Sequence, residues 1–154
     1  MQSTDLAARF VSYAQNQEDV LLHRALQTVE KGFYVDVGAQ DPVEDSVTKA
    51  FYDAGWNGIN VEPSPGWYQS LQHSRPRDTN VNCAAHSVRT ELEFFHLPHT
   101  GLSTCTREIA LEQAAAWKIP ALAMRVHARP LADILAECGV GDIGKAVGIV
   151  ERDG

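Results

Sequence analysis

A short apolar segment that ends in a carboxylate and a glycine constrains the fold of this chain more than any other feature. Residues Phe33–Val37 are aromatic or β-branched apart from Asp36, and Gly32 and Gly38 flank them. This pattern predicts a buried strand that ends in a sharp turn. Because burying a charge is costly unless the charge is paired or faces a ligand, Asp36 indicates a candidate binding site at the end of the strand.

The residues after this turn favour a helix. Asp45 and Ser46 are typical capping residues, and apolar residues follow at helical spacing from Val47 to Ala54. A strand, a glycine turn and a helix in this order are typical of the first unit of a nucleotide-binding α/β sheet. A structural strand that ends in an ordinary turn is the simpler alternative.

A second strand is predicted at residues 59–62, and it also ends in a carboxylate, Glu62. In a βαβ unit, an acidic residue roughly 20 positions after the glycine turn is placed to accept hydrogen bonds from ribose hydroxyls. The helix expected next carries Trp67 and Leu71 on its apolar side. Patterns farther along predict strands at 80–85, 90–97, 123–128 and 146–150, with helices at 20–29, 107–117 and 131–138.

Composition restricts the class of protein. The chain has 154 residues and a formal charge of -7, with no cluster of lysines and arginines, so we expect one α/β domain and no nucleic-acid partner. No apolar run reaches the ~18 residues of a membrane span, and we expect a soluble, cytoplasmic protein. The three widely spaced cysteines predict free thiols rather than disulfides or a zinc site.

The loop after the first strand discriminates between nucleotide-like cofactors. The dinucleotide fingerprint G-x-G-x-x-G retains only its first glycine here, and Gln40 and Asp41 would crowd and repel a pyrophosphate. No phosphate-binding G-x-x-x-x-G-K-[ST] loop is present. S-adenosylmethionine fits these residues better, because it carries an adenosine without phosphates and a positive sulfonium. A nicotinamide-dependent oxidoreductase is accordingly disfavoured.

Five ordered segments carry a family resemblance. They are SYAQNQED at 12–19, GFYVDVGA at 32–39, DSVTKAFY at 45–52, GWNGINVEP at 55–63 and GLST at 101–104. Together they resemble the successive motifs of the FkbM-type S-adenosylmethionine-dependent methyltransferases. The resemblance implies a doubly wound, mostly parallel, Rossmann-like class I methyltransferase sheet with helices on both faces. It also implies O-methylation of a hydroxyl on a sugar, a glycan or a secondary metabolite.

The resemblance also assigns roles to particular residues. Asp36, Gly38 and Ala39 would line the methionine part of the cofactor, Glu62 would hold the ribose, and Ala84 would lie at the edge of the adenine. Gln40 and Ser46 complete the expected cofactor-binding set.

The family pattern is altered near the end of the chain. Members usually follow the fourth strand with Asp-x-Glu-Gly near the transferable methyl, and Glu-Arg-Asp-Gly occupies that place here at 151–154. Glu151 and Asp153 are therefore the predicted catalytic carboxylates, which would accept the proton of the acceptor hydroxyl. A charged chain end is the alternative interpretation.

Further strands follow in the family, so we expect this chain to be one incomplete domain, with a helical segment at 1–30 and an α/β core at 31–154. An uncovered sheet edge would favour self-association. A catalytically inactive, cofactor-binding or interaction fragment is the alternative function.

The histidines contribute less than the carboxylates to the prediction of catalytic residues. His86 is a weaker candidate for the general base, and no pair of histidines has the spacing of metal ligands on a helix. The others are expected to be surface or packing residues: His23, His73, His96, His99 and His127.

Overall fold

The structure, a computed structural model, describes residues 9–140 and the backbone of residues 149–151. These residues form a mixed α/β fold. Its helices are α1 (Glu18–Ala25), α2 (Lys49–Asp53), α3 (Pro65–Ser74), α4 (Arg107–Trp117) and α5 (Leu131–Glu137). Its strands are β1 (Phe33–Val37), β2 (Asn57–Val61), β3 (Thr79–Val81), β4 (Ala84–Ala85), β5 (Thr90–His96), β6 (Leu122–Arg129) and β7 (Ile149–Glu151).

Four strands form a parallel sheet in the order β3-β2-β1-β7. Strand β1 pairs with β2 so that Val37 lies opposite Val61, and it pairs with β7 so that Val37 lies opposite Glu151. Because the strands run in the same direction, their carboxyl ends meet at one edge of the sheet. The residues that follow Val37 and Val61 therefore emerge side by side, where open α/β sheets bind their ligands.

Both faces of β1 are covered, which explains its nearly continuous apolar sequence. Val35 packs on one face with Ile134 of α5. Tyr34 points to the opposite face, as alternation along a strand requires, and it packs with Trp56. Asp36 shares the face of Tyr34 and is fully buried.

A second sheet has the order β4-β6-β5. Strands β5 and β6 are antiparallel, with Thr90 opposite Ala128 and His96 opposite Leu122. Phe94 and Val126 pack on one face of this sheet with Ala84. Phe95 lies on the other face of β5 and packs with Ala110 of α4.

The single strand predicted at 80–85 is wrong, because the chain forms two strands that belong to different sheets. Strand β3 extends the parallel sheet, whereas β4 pairs with β6. Asn82 lies between them, and its side-chain amide donates to the carbonyls of Glu62 and Pro63 at 2.9 and 3.1 Å. This contact holds Asn82 beside the residues that follow β2, and Ala84 then enters the second sheet.

Two helices are shorter than predicted. Helix α1 ends at Ala25 instead of residue 29. The helix expected from Val47, after the capping residues Asp45 and Ser46, begins only at Lys49. Asp45 has a left-handed φ of 56°, so the chain is still turning here and enters the helix later. The hydroxyl of Ser46 accepts a hydrogen bond from the Lys49 amide at 3.2 Å, so these residues form a turn that leads into the helix.

The remaining elements agree with the sequence patterns. Helix α4 has the predicted bounds, and α5 ends just before Gly139, which has a positive φ of 79°. Strand β7 confirms the end of the last predicted strand, whose first residues, 146–148, lie outside the described part of the chain.

Gly58 on β2 has no room for a side chain. A Cβ at this position would lie 2.2 Å from the backbone oxygen of Tyr34 and 2.4 Å from its ring, so the neighbouring strand would have to move. We expect Gly58→Ala to lower the free energy of unfolding by about 1–3 kcal/mol or more.

Gly66 in α3 provides the matched control, because a Cβ there meets nothing within 4 Å. Gly66→Ala is expected to raise the free energy of unfolding by about 0.5–1 kcal/mol, since alanine favours a helix over glycine. Urea unfolding followed by circular dichroism measures both effects. A Gly58→Ala protein as stable as the Gly66→Ala protein would contradict the packing described here.

The cysteines carry the free thiols that their spacing predicts. Cys83, Cys105 and Cys138 are all free, and burial raises the pKa of the Cys83 thiol. Among the described residues, no helix combines the length and the apolar character that crossing a membrane requires.

Candidate functional site

The candidate site begins where β1 ends. Gly38 has a positive φ of 72°, a conformation that glycine adopts without strain. Its amide donates to the carbonyl of Val61 at 2.8 Å, and the amide of Ala39 donates to the same oxygen at 3.3 Å. The loop after β1 is thereby held against the end of β2, and its backbone is open to close approach by a ligand.

Glu62 is held rigidly at this edge of the sheet. One carboxylate oxygen accepts from the backbone amide of Gln40 at 2.8 Å, and the other accepts from the amide of Ser64 at 2.7 Å. Gln40 presents its amide in this direction because it has a left-handed φ of 54°. Because each amide bonds to a different oxygen of the carboxylate, these two hydrogen bonds fix its orientation.

A cleft opens between the carboxyl ends of β1 and β2 and the second sheet. Residues of both sheets and of the loops between them line it: Val37, Gly38, Gln40, Val61, Glu62, Pro63, Trp67, Cys83, Ala84, Ala85, Phe94, Ser103, Thr104 and Cys105. This lining contains one carboxylate and neither lysine nor arginine. A neutral or positively charged ligand therefore suits the described part of the cleft better than a phosphate.

The loop at 101–104 contributes Ser103 and Thr104 to the lining of the cleft that Gly38 also lines. The side-chain amide of Gln40 donates to the carbonyl of Gly101 at 3.1 Å, which ties this loop to the loop after β1. Thr104 forms an isolated antiparallel bridge with Phe95 of β5. Two segments that are far apart in the sequence, each part of the resemblance, thus meet across one cleft.

Comparison with known families decides the class of the domain. Residues 36–144, which form most of the chain, match the family described as the Methyltransferase FkbM domain. The chain belongs to this family. The match confirms the resemblance found in the sequence and assigns methyl transfer as the class of chemistry. No curated protein and no solved structure matches the chain significantly.

The residues predicted to bind the cofactor divide into two groups in this FkbM domain. Four of them line the cleft: Gly38, Gln40, Glu62 and Ala84. Asp36, Ala39 and Ser46 lie outside the described lining. The carboxylate of Asp36 accepts from the hydroxyl of Thr48 at 2.7 Å, and Ser46 accepts from the guanidinium of Arg75 at 3.0 Å. A direct contact of these three residues with a cofactor stays a prediction.

Arg75 is the centre of a buried polar cluster beneath the loop that follows β1. Its side chain is 1% exposed, and it donates to the carbonyl of Pro42 at 2.7 Å. It also faces Asp78, at 3.5 Å between the guanidinium and the carboxylate. Tyr34 donates to the same carboxylate at 2.5 Å, and burial together with Asp78 raises the pKa of its hydroxyl.

The structure describes only the backbone of Glu151, one of the two predicted catalytic carboxylate residues. The backbone of Glu151 pairs with Val37, so this residue ends β7 beside the strand that leads into the cleft. Its side chain and the whole of Asp153 lie outside the described residues. Their catalytic role stays a prediction.

Trp67, which the sequence pattern placed on the apolar side of α3, is a cleft residue in the structure. Its indole lines the cleft, and its buried Nε1–H has no acceptor within the described part of the chain. Because a buried indole N–H usually finds a partner, this group is available to a ligand. The only feature of the sequence that could have indicated this place in the cleft is the position of Trp67 shortly after Glu62.

His96 was predicted to be a surface or packing residue, whereas the FkbM domain places it behind the cleft wall. Its Nδ1 lies 3.3 Å from the hydroxyl of Ser103, which lines the cleft. Burial lowers the pKa of His96, and the nearby His99 lowers it further. His86, the histidine favoured from the sequence, is exposed, and its Nδ1 contacts the backbone of Val88.

Proposed function

We propose that this chain is an S-adenosylmethionine-dependent O-methyltransferase whose acceptor is a hydroxyl of a sugar, a glycan or a secondary metabolite. The observation that carries the proposal is the carboxylate of Glu62, fixed by two backbone amides at the carboxyl end of β2. A carboxylate in this place suits the two hydroxyls of a ribose. The absence of lysine and arginine from the described cleft lining favours a cofactor without phosphates.

The other cleft residues suit the remaining parts of the cofactor. Gly38 and Gln40 would lie along its methionine part, with Asp36, Ala39 and Ser46 completing that end of the site. Ala84 would lie at the edge of the adenine, and the indole of Trp67 offers that ring an aromatic surface and a hydrogen-bond donor.

When bound, S-adenosylmethionine supplies a methyl group on a positively charged sulfur, and the electrons of the broken carbon–sulfur bond remain on that sulfur. The main task of the chain is to hold the acceptor oxygen in line with this methyl and to exclude water. Gly38 and the loop at 101–104 form the two walls between which the acceptor would approach. Glu151 and Asp153, at and after the end of β7, are our candidates for catalytic carboxylates beside this approach.

The fold completes the proposal. We place the four-stranded parallel sheet in the doubly wound, Rossmann-like class I methyltransferase architecture, because helices pack on both faces of β1. The chain would then form a single S-adenosylmethionine-binding domain that acts in the cytoplasm. Self-association through the edge of the sheet is part of the same proposal.

Calorimetric titration of the purified chain with S-adenosylhomocysteine, and separately with NAD, tests the cofactor. We expect heat and saturation with S-adenosylhomocysteine and none with NAD, since the loop after Gly38 lacks the glycines that a pyrophosphate requires. Binding of NAD alone would overturn the proposal in favour of an oxidoreductase. A folded chain that binds neither ligand would also contradict it.

A further inference from the structure

Ser103 occupies a position in the cleft that the cofactor residues do not fill. It lines the cleft together with Gly38 and Gln40. The bond from the side chain of Gln40 to Gly101 holds the loop of Ser103 against the loop after β1. A hydroxyl acceptor that approaches a methyl group above Gly38 therefore meets the Ser103 side chain.

The hydrogen bonds of Ser103 orient its hydroxyl. Its Oγ accepts from the backbone amide of Leu97 at 3.2 Å, and it lies 3.3 Å from Nδ1 of His96. Because one lone pair of Oγ is already used by Leu97, the hydroxyl proton can point to His96 while the second lone pair faces the cleft.

Strand geometry places His96 on the face of β5 that is turned toward the cleft. Alternate residues of β5 point to the same face, so His96 shares the face of Phe94, which lines the cleft. Glu93 lies on the opposite face and pairs with Arg107 of α4 at 2.6 Å. His99 is the neighbouring ionisable group that lowers the pKa of the His96 imidazole, after burial, which is the larger cause.

We propose that Ser103 and His96 form the proton path of the methyl transfer. The inference rests on the proposed function. As the acceptor oxygen bonds to the methyl carbon, its proton passes to Oγ of Ser103, and the former proton of Ser103 passes to Nδ1 of His96. The imidazole becomes an imidazolium and later releases the proton to water, so serine and histidine return to their initial states. Ser103 is the catalytic residue, and His96 acts through it.

The test measures the imidazole pKa values by NMR in the free chain and in the presence of S-adenosylhomocysteine or S-adenosylmethionine. The two ligands differ by a methyl group and one positive charge. If the methyl faces the Ser103–His96 pair, S-adenosylmethionine should lower the pKa of His96 by about half a pH unit more than S-adenosylhomocysteine does. The exposed His86 is the internal control and should respond equally to both ligands.

Two variants separate the proton path from a packing role. Ser103→Ala removes the hydroxyl that donates to the neutral imidazole, so the pKa of His96 should rise, whereas Ser103→Thr keeps the hydroxyl and should preserve the original pKa. Equal effects of the two ligands on His96, or an unchanged pKa in Ser103→Ala, would overturn the proton path alone. A chain that binds neither ligand would overturn the proposed function, and the proton path with it.

Discussion

Replacing Arg75 with methionine is expected to lower the free energy of unfolding by about 3–5 kcal/mol, the usual effect of removing one partner from a buried ion pair. Arg75 and Asp78 have side chains that are 1% and 0% exposed. Methionine leaves the Asp78 carboxylate buried without its counter-charge. The carboxylate keeps bonds from Tyr34, Asn60 and the amide of Gly58, but these donors carry no net charge.

Loss of Arg75 should also loosen the loop that follows β1. The guanidinium bonds to Pro42, Ser46 and Thr48, and Thr48 in turn bonds to Asp36. One side chain thus fastens the whole turn between the first strand and α2. We therefore expect Arg75→Met to weaken cofactor binding in addition to lowering stability.

Arg107→Met is the matched control. Arg107 pairs with Glu93 at 2.6 Å, but its side chain is 62% exposed. Exposed pairs contribute between 0 and about 1 kcal/mol, so this variant should unfold almost as the unchanged protein does. Urea unfolding followed by tryptophan fluorescence, to which the buried Trp56 contributes, compares the free energies of unfolding of the two variants. Similar, small changes in both variants would contradict the structural role of the Arg75 cluster.

Local sequence patterns were sufficient to predict the part of the site that β1 and β2 form. An apolar run between two glycines, interrupted only by Asp36, predicted β1, because a strand covered on both faces is apolar at most of its positions. The same logic predicted β2 and placed Glu62 at its end. Parallel pairing then brought Gly38 and Glu62 together, since strands of one parallel sheet end at the same edge.

Contacts between distant segments could not be predicted in the same way. Nothing in the sequence around Asn82 indicates that its side chain bonds to the residues that follow β2, or that the next strand belongs to another sheet. Nothing around Arg75 indicates that it lies beneath the loop at 42–48. A turn between His96 and Ser103 brings these two residues together. Their position at the same cleft as Gly38 depends on how one sheet packs against the other.

The position of Asp36 illustrates the limit of a motif. The sequence predicted a binding site at Asp36, since a buried carboxylate must be paired or face a ligand. The partner in the structure is the hydroxyl of Thr48, at 2.7 Å, on the face of β1 that carries Tyr34. The type of residue and its place on β1 could be predicted for Asp36. The face of the sheet to which its side chain points follows from the alternation of side chains that begins at Phe33.

Glu62→Ala is expected to weaken the binding of S-adenosylhomocysteine about 5- to 150-fold, which corresponds to ~1–3 kcal/mol for lost charge-assisted hydrogen bonds. The carboxylate would hold the ribose hydroxyls, and it also orders the backbone at Gln40 and Ser64. Its removal deprives the cofactor of an acceptor and releases both loops at the edge of the cleft. Calorimetric titration measures the change in affinity.

Glu93→Ala is the control, because Glu93 is half-exposed, lies on β5 and bonds to Arg107 outside the cleft. It removes the same charge from the chain and should leave the affinity unchanged. Circular dichroism of both variants separates a loss of binding from a loss of fold. If Glu62→Ala folds and binds as tightly as Glu93→Ala, the carboxylate at the end of β2 is not the ribose ligand. The cofactor would then have to be held by the walls of the cleft that Gly38 and Ser103 form.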